Sequence, residues 1–462
     1  MKKIGESSVG NLNPDKRRST GLTRREFLKL CETSVIGLLL TACSSKLTPT
    51  VLPISTNTSS PTNTPFPTST ATLTNTPEPT NTATATPTPH PPTLRVLADA
   101  KGVKIYILAL ARVFTENQYR DVVLKTGNGI ITPTGLTGLN HDGIFKGVDW
   151  NEILSNWPEY EKMLDMGIVP NEQQLNWGPS EDRIQFAEQN RMEVMAFHVL
   201  PEGGQISDEI IAASKTKSDF AKIMKFTTKV RALHFIGRIK IWSGANEIIA
   251  TRLYGSGTGR EFVKTMVDND LIHNLFVWLK EADPNTIGLL SESNVVEATS
   301  QPAYQRIHDE YFKLLDYLIA RDTPVDGGGM HNHFWVYDPP RPEAVRAVIQ
   351  EFEARGKVAH ATETTVNLNP IYPLWEDRPR SVADIEDVLG AQAKVFVDML
   401  KVFTSTGNVF GMFGVTDAYS WYDEVDTYGY TGAGAHIFDR NYQQKPAYDQ
   451  MWAYLQSLPD KK

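Results

Sequence analysis

From about residue 93 onward, short apolar runs alternate with stretches of helical spacing. The runs are residues 103–109, 167–173, 192–198, 239–246, 286–291, 325–333, 358–363 and 409–415. Their length and β-branched content predict buried strands. Of the helical stretches, 342–355 has Pro342 at its start, Glu343 in its first turn and Gly356 just past its end. Residues 381–403 open on Ser381, with Asp384 three positions on as a cap partner. Residues 305–319 place Ile307, Tyr311, Leu314, Leu315 and Leu318 on one face. Eight strands alternating with helices predict an α/β fold, a (β/α)8 TIM barrel, whose chemistry sits at the C-terminal ends of the strands. Four runs end on polar or ionisable residues: His198, Asn246, His333 and Glu363. The 239–246 run goes further and delivers Asn246 and Glu247 side by side. A strand fading into a solvated loop explains one such end; it has to be invoked separately for each of the four.

The N-terminus does not fit this alternation. Arg24-Arg25 precede a short apolar stretch, 35–40, as in a twin-arginine export signal. That stretch is too short to span a bilayer. It ends in Leu40-Thr41-Ala42-Cys43, a lipobox-like sequence that predicts cleavage after residue 42 and lipidation of Cys43. Residues 43–92 are rich in Thr, Pro and Ser, and Thr-Asn-Thr recurs from positions 56, 62, 74 and 80. So few apolar residues predict a disordered linker, with a mean span of roughly 40 Å as flexible coil. The expected organisation is a signal at 1–42, a linker at 43–92 and the barrel at 93–462.

Charge and cysteine content narrow the function. The whole chain carries a net charge of −8, and its first 42 residues hold eight Lys/Arg against four Asp/Glu, so the remainder lies near about −12. No basic face for a nucleic acid is expected. The only cysteines are Cys31 and Cys43. Signal cleavage removes the first and lipidation consumes the second, which excludes disulfides and thiol-based catalytic or metal sites in the barrel.

Several segments together resemble glycoside hydrolase family 10, the endo-β-1,4-xylanase family. Residues 413–421, Phe-Gly-Val-Thr-Asp-Ala-Tyr-Ser-Trp, are similar to its eighth-strand signature. Residues 438–448 are similar to its closing segment and 94–102 to its start. Trp242 to Glu247 resembles the fourth-strand Trp-Asp-Val-Val-Asn-Glu, and Thr362-Glu363 resembles the seventh-strand Thr-Glu. The matches keep the family's order over the barrel region. The resemblance implies a retaining hydrolase of β-1,4-linked xylan, with Glu247 as general acid/base and Glu363 as nucleophile. It implies that Asn246 holds the sugar 2-hydroxyl, His333 bonds the nucleophile, His198 contacts the sugar and Trp421 walls the site. The chemistry agrees, because double displacement needs two carboxyl groups about 5–5.5 Å apart across the anomeric carbon. Opposed strands four and seven can supply them.

Departures from the family pattern cluster on the sugar-binding side. Glu172-Gln173-Gln174-Leu175-Asn176-Trp177 is read as the segment after the second strand, with Asn176 where the family has a lysine. On that alignment residues 115–160 form an extra stretch. The Trp-His after the third strand is missing, Phe413 replaces a tryptophan, and His331 replaces the usual sixth-strand glutamine. Glu172, Asn176, His331 and Phe413 are therefore further substrate-binding candidates. His331 and His333 share one strand face, and with His360 on the next strand they raise a rival metal reading. Histidines hydrogen-bonded around a carboxylate are the simpler reading, and neither metal nor cofactor is expected. The expected protein is a monomeric surface lipoprotein, exported and facing the cell exterior, with a polysaccharide substrate and a membrane contact through its lipid alone. A non-catalytic carbohydrate-binding lipoprotein on the same barrel is the alternative. A transporter's solute-binding lipoprotein fits the signal but not the barrel.

Overall fold

Alternation inside each strand sets the architecture, because successive side chains point into the barrel or out toward the helices. The computed structural model describes residues 91–134, 143–297, 304–368, 387–420, 422 and 433–461. The signal, Cys43, nearly all of the linker, the Ser381/Asp384 cap and Trp421 lie outside the described residues. The strands are β1 (Ile105–Leu108), β2 (Gly129–Pro133), β3 (Glu193–Phe197), β4 (Ile241–Asn246), β5 (Ile287–Ser293), β6 (Gly327–Trp335), β7 (Val358–Asn367) and β8 (Phe410–Met412). All run parallel in chain order, and β8 closes on β1 with Gly411 opposite Tyr106. The fold is the (β/α)8 barrel that the hydrophobic pattern predicts, within a unit spanning Pro92–Lys462. Among the described residues no helix is long and apolar enough to cross a membrane.

Inward residues form layers that become more polar toward the strand C-termini. Tyr106, Ile131, Met195, Ile241, Leu289 and Val409 pack as an apolar floor. Below it, Glu193 accepts hydrogen bonds from Lys104 Nζ (2.7 Å) and from the Tyr106 hydroxyl. Two residues up from Ile241 and Leu289 come Ser243 and Ser291, whose hydroxyls bond at 2.8 Å. Gly329 on β6 faces this serine layer; a Cβ there collides with Ser291 Oγ. Outward residues such as Ile107, Trp242 and Leu290 join the larger core between strands and helices.

The second strand corrects the sequence reading. It is Gly129–Pro133, with Ile130 opposite Ile107 of β1 and Ile131 opposite Met195 of β3. Residues 167–173 are not a strand: Pro170 lies mid-run, where it denies the ladder a donor. Asn171 turns into the left-handed region at φ 51°, and a 3-10 turn, Glu172–Gln174, follows. β2 holds only two strongly apolar residues, Ile130 and Ile131, between Gly129 and Pro133, too short an apolar run to stand out by pattern. The supposed extra stretch 115–160 therefore contains a regular helix–strand unit, with a helix at Asn117–Thr126 leading into β2.

Candidate active site

β4 and β7 deliver the two acids from across the barrel. The β4–β5 register shifts between Ser243 and Ala245. Gly244 makes this irregularity possible, since an added Cβ would sit 2.7 Å from the Phe276 ring. Just past β4, Glu247 adopts φ 49°, ψ 35°, left-handed and unusual for a residue with a Cβ. Such strain persists only where surrounding contacts enforce it. Its backbone N–H donates to Ser291 O at 3.0 Å. Within the first turn of the helix that follows, Ile248–Tyr254, the N–H groups of Ile249 and Ala250 donate to Glu292 Oε2 at 2.8 and 3.4 Å. Glu292 on β5 thus pins the turn that carries Glu247. On the other side, the β6–β7 register shifts between Met330 and His331 and sets His331 beside Glu363.

His331 lies between the two acids. Its Nδ1 is 3.3 Å from Glu247 Oε1 and its Nε2 is 3.2 Å from Glu363 Oε1. His333 Nε2 reaches the other Glu363 oxygen at 3.3 Å, and its Nδ1 bonds Thr365 Oγ1 at 3.0 Å, with Tyr422 Oη behind (3.2 Å). His198 Nε2 stands 3.8 Å from Glu363 Oε1, and its Nδ1 bonds Ser243 Oγ at 2.7 Å. Asn246 is buried, and its Oδ1 has no hydrogen-bond partner among the described residues. Phe413 lies 5.7 Å from the His333 ring and 6.2 Å from Phe197, forming an aromatic wall.

Burial and charge act against each other here. Burial raises the Glu363 carboxyl, but His331, His333 and His198 outweigh it and hold the group below the usual carboxylate range. Burial likewise disfavours the His331 imidazolium, yet Glu363 and Glu247 push it up to about 9. His198 goes the other way: burial drives it down to about 3 despite Glu363. Burial, with Glu247 adding repulsion, pushes Glu292 up to about 8, and burial does the same to Glu297. The site therefore holds an anionic Glu363 beside an imidazolium, backed by carboxyl groups that stay protonated.

The structure brings together Glu247, Glu363, Asn246, His198, His331, His333 and Phe413. It does not bring Glu172 to them. That carboxylate pairs with His234 Nδ1 at 2.7 Å, in the last turn of the helix leading into the N-terminal end of β4. Asn176 lies between buried Leu175 and Trp177, whose ring stacks on His234 at 3.6 Å. Both assignments followed from the misplaced second strand. His331, His333 and Glu363 offer three ligand atoms within 4.8 Å of one another, a spacing a cation can share. His360 does not join them: its Nδ1 meets Val409 N–H at 3.3 Å, next to the barrel floor. Sequence reasoning missed Glu292, which lies one residue beyond the predicted end of the fifth strand. It also missed Arg231, wholly buried, whose guanidinium donates to His198 O (3.0 Å) and Val199 O (2.9 Å) and so holds the turn after β3.

Known proteins share this arrangement of strands. The family model for Glycosyl hydrolase family 10 matches residues 158–454. Endo-1,4-beta-xylanase B of Thermotoga neapolitana is 27% identical over 285 residues, covering 61% of this chain and 75% of that protein. The thermostable celloxylanase of Thermoclostridium stercorarium is 25% identical over 313 residues, covering 63% and 76%. Native xylanase 10B of Thermotoga maritima has a TM-score of 0.59 at 24% identity, over 79% of this chain and 98% of that one. Xylanase 10B of Thermotoga petrophila RKU-1, solved with xylobiose, has a TM-score of 0.60 at 23% identity, over 80% and 98%. At these identities the solved structures speak for the fold.

Proposed function

The chain belongs to glycosyl hydrolase family 10, and on that premise we propose that it cleaves β-1,4-linked xylan or a related plant β-glycan with retention of configuration. The names of the similar proteins support the substrate class. The observation that carries the mechanism is that Glu247 and Glu363 face opposite nitrogens of one imidazole at the strand C-termini. Both carboxyl groups therefore face one subsite from opposite sides of the barrel, as double displacement requires.

In the first half-reaction Glu363 attacks the anomeric carbon, and Glu247 gives its proton to the departing glycosidic oxygen. A glycosyl ester forms on Glu363. Its charge is then gone, and Glu247, now a carboxylate, takes a proton from water that attacks the same carbon. His333, anchored by Thr365, orients Glu363. Asn246 Oδ1 is placed to accept a hydrogen bond from the sugar 2-hydroxyl, a contact that strengthens in the transition state. His198 contacts the sugar from the β3 side, and Phe413 walls the subsite; the Trp421 wall that the resemblance implies lies outside the described residues. The histidines serve here as hydrogen-bond partners, because double displacement needs the Glu363 carboxylate free to attack. The N-terminal reading completes the proposal: Cys43 carries the lipid after loss of 1–42, and 43–92 tethers a monomeric enzyme outside the membrane.

The test is reducing-sugar release by the purified protein from xylan, arabinoxylan, β-glucan and cellulose, with Glu247→Ala and Glu363→Ala as controls. Release from xylan that both substitutions abolish is the expected result. Release from another glycan alone moves the substrate and keeps the mechanism. A folded protein that binds glycan without releasing sugar overturns the enzyme reading for the non-catalytic one.

A further inference from the structure

His331 departs from the glutamine that the resemblance leads one to expect, and its geometry exceeds what a sugar contact requires. The side chain is buried. Each ring nitrogen meets a different carboxylate, Nδ1 toward Glu247 (3.3 Å) and Nε2 toward Glu363 (3.2 Å). A neutral imidazole has one N–H and one lone pair, so it would have to change tautomer to keep its N–H toward the anion when attack moves the negative charge from one carboxyl to the other. With both nitrogens protonated the ring faces either acid as a charge at ion-pair distance, neither contact having hydrogen-bond geometry. We propose that His331 is a positioning residue that bridges the two carboxylates as an imidazolium, paired mainly with Glu363 in the free enzyme and with Glu247 in the glycosyl-enzyme. The proposal rests on the roles given above to Glu247 and Glu363.

The charges balance at each stage. Before attack, Glu363 is anionic and Glu247 carries a proton, so the imidazolium has one anionic partner. Attack converts Glu363 to a neutral ester, while Glu247 passes its proton to the leaving group and becomes the anion. The imidazolium again has one anionic partner, now on its other nitrogen. His331 transfers no proton, and the trio of side chains keeps the same net charge. A glutamine could donate from its amide nitrogen but would bring no charge.

The groups facing His331 decide whether the charge survives. From β4 comes Glu247, from β7 Glu363 and from β5 Glu292. Glu297 acts on it from beyond β5, within the same buried field. The opposing cations are few. On β3 the His198 ring is 6.2 Å away and is held neutral by burial, and His333 on β6 is 6.1 Å away. One ionised acid in contact at each stage, with uncharged carboxyls behind it, opposes the desolvation of the ring.

The experiment compares kcat/KM and kcat against pH for the purified protein and His331→Gln, on 4-nitrophenyl β-xylobioside. Loss of the cation removes the partner that keeps Glu363 ionised. The acid limb of kcat/KM is therefore expected to move up by about one pH unit or more. Where ester breakdown limits turnover, the acid limb of kcat moves with it, because Glu247 loses the same partner. A higher KM with both limbs unmoved is the signature of a sugar contact and overturns the bridge. Glu363→Ala run in parallel separates the two layers of inference. If it still turns over, the mechanism beneath the proposal is wrong; if it is dead and the limbs stay fixed, the bridge alone is wrong. Should His331→Gln fail to fold, histidine-selective 15N NMR of the wild type decides the matter. One imidazolium signal persisting at about pH 8, above the range of ordinary histidines, is expected both free and after trapping with a 2-fluoro xylobioside. Its absence in either state overturns the proposal.

Discussion

The roles proposed for Asn246 and argued for Glu292 differ, and their substitutions should read differently. Asn246 Oδ1 is buried with no partner among the described residues, which suits an atom reserved for a sugar hydroxyl. Asn246→Ala is expected to lower kcat/KM about 100-fold, mainly through kcat, because the lost bond is strongest in the transition state. Steady-state kinetics on an aryl xylobioside checks this. Glu292 is buried and holds the N–H groups of Ile249 and Ala250. Glu292→Ala should lower kcat and also loosen the fold, whereas Glu292→Gln, which keeps an acceptor oxygen, should recover most of the melting temperature. Equal damage from both Glu292 substitutions would contradict the anchoring role. At this scale the sequence alone was a weak guide. Glu247 and Glu363 are two acids among 54 Asp/Glu, and only the family resemblance singled them out. Glu292 and Arg231 carry no local signature, because their importance comes from partners 43 and 33 positions away.

The strands were legible where the apolar run was long and illegible where it was short. Seven of the predicted runs overlap observed strands, and β6 and β7 extend beyond them to Trp335 and Asn367. The miss at β2 displaced Glu172 and Asn176 into the candidate site, which shows how one register error spreads through a motif reading. The barrel is closed after β8 by a segment the pattern did not define. Within it, Phe438 bridges to Thr416 and Gln444, and Lys445 Nζ meets Asp417 Oδ2 at 3.1 Å with both side chains buried. Burial lowers the Lys445 pKa although Asp417 opposes it. Asp417→Asn leaves that ammonium buried without its counter-charge, at a cost of about 3–5 kcal/mol. Urea unfolding should show this loss, and Asp417→Asn/Lys445→Met should recover part of it. No recovery in the double variant would mean that Asp417 acts through its bond to His436 N–H instead.

The whole barrel stores its titratable groups in opposed sets, which fixes the pH range of its stability. Burial depresses His198 and His436 to about 3 and His360 to about 4. The unfolded chain protonates these groups below about pH 6.5 and the native state does not, so stability falls as pH drops from there toward 4. Glu292 and Glu297 are raised to about 8 and His331 to about 9. The native state keeps those protons after the unfolded chain has lost them, so stability falls as pH rises from about 4.5 to 8 for the two acids and from about 6.5 to 9 for His331. The melting temperature should peak near about pH 6.5, and a scan that rises steadily to pH 9 would contradict the buried acids. The alternation of eight strands and helices made the barrel itself readable from sequence. The protonation pattern was not readable, because it depends on which side chains the closed barrel buries together.

Covalent trapping addresses the double-displacement mechanism most directly. The purified protein would be incubated with 2,4-dinitrophenyl 2-deoxy-2-fluoro-β-xylobioside, digested, and its modified peptide sequenced by mass spectrometry. A stoichiometric burst of dinitrophenol with the sugar on Glu363 is the expected result. A label on Glu247 or any other carboxylate, or turnover of unsubstituted xylobiosides with no trapped species, would contradict it.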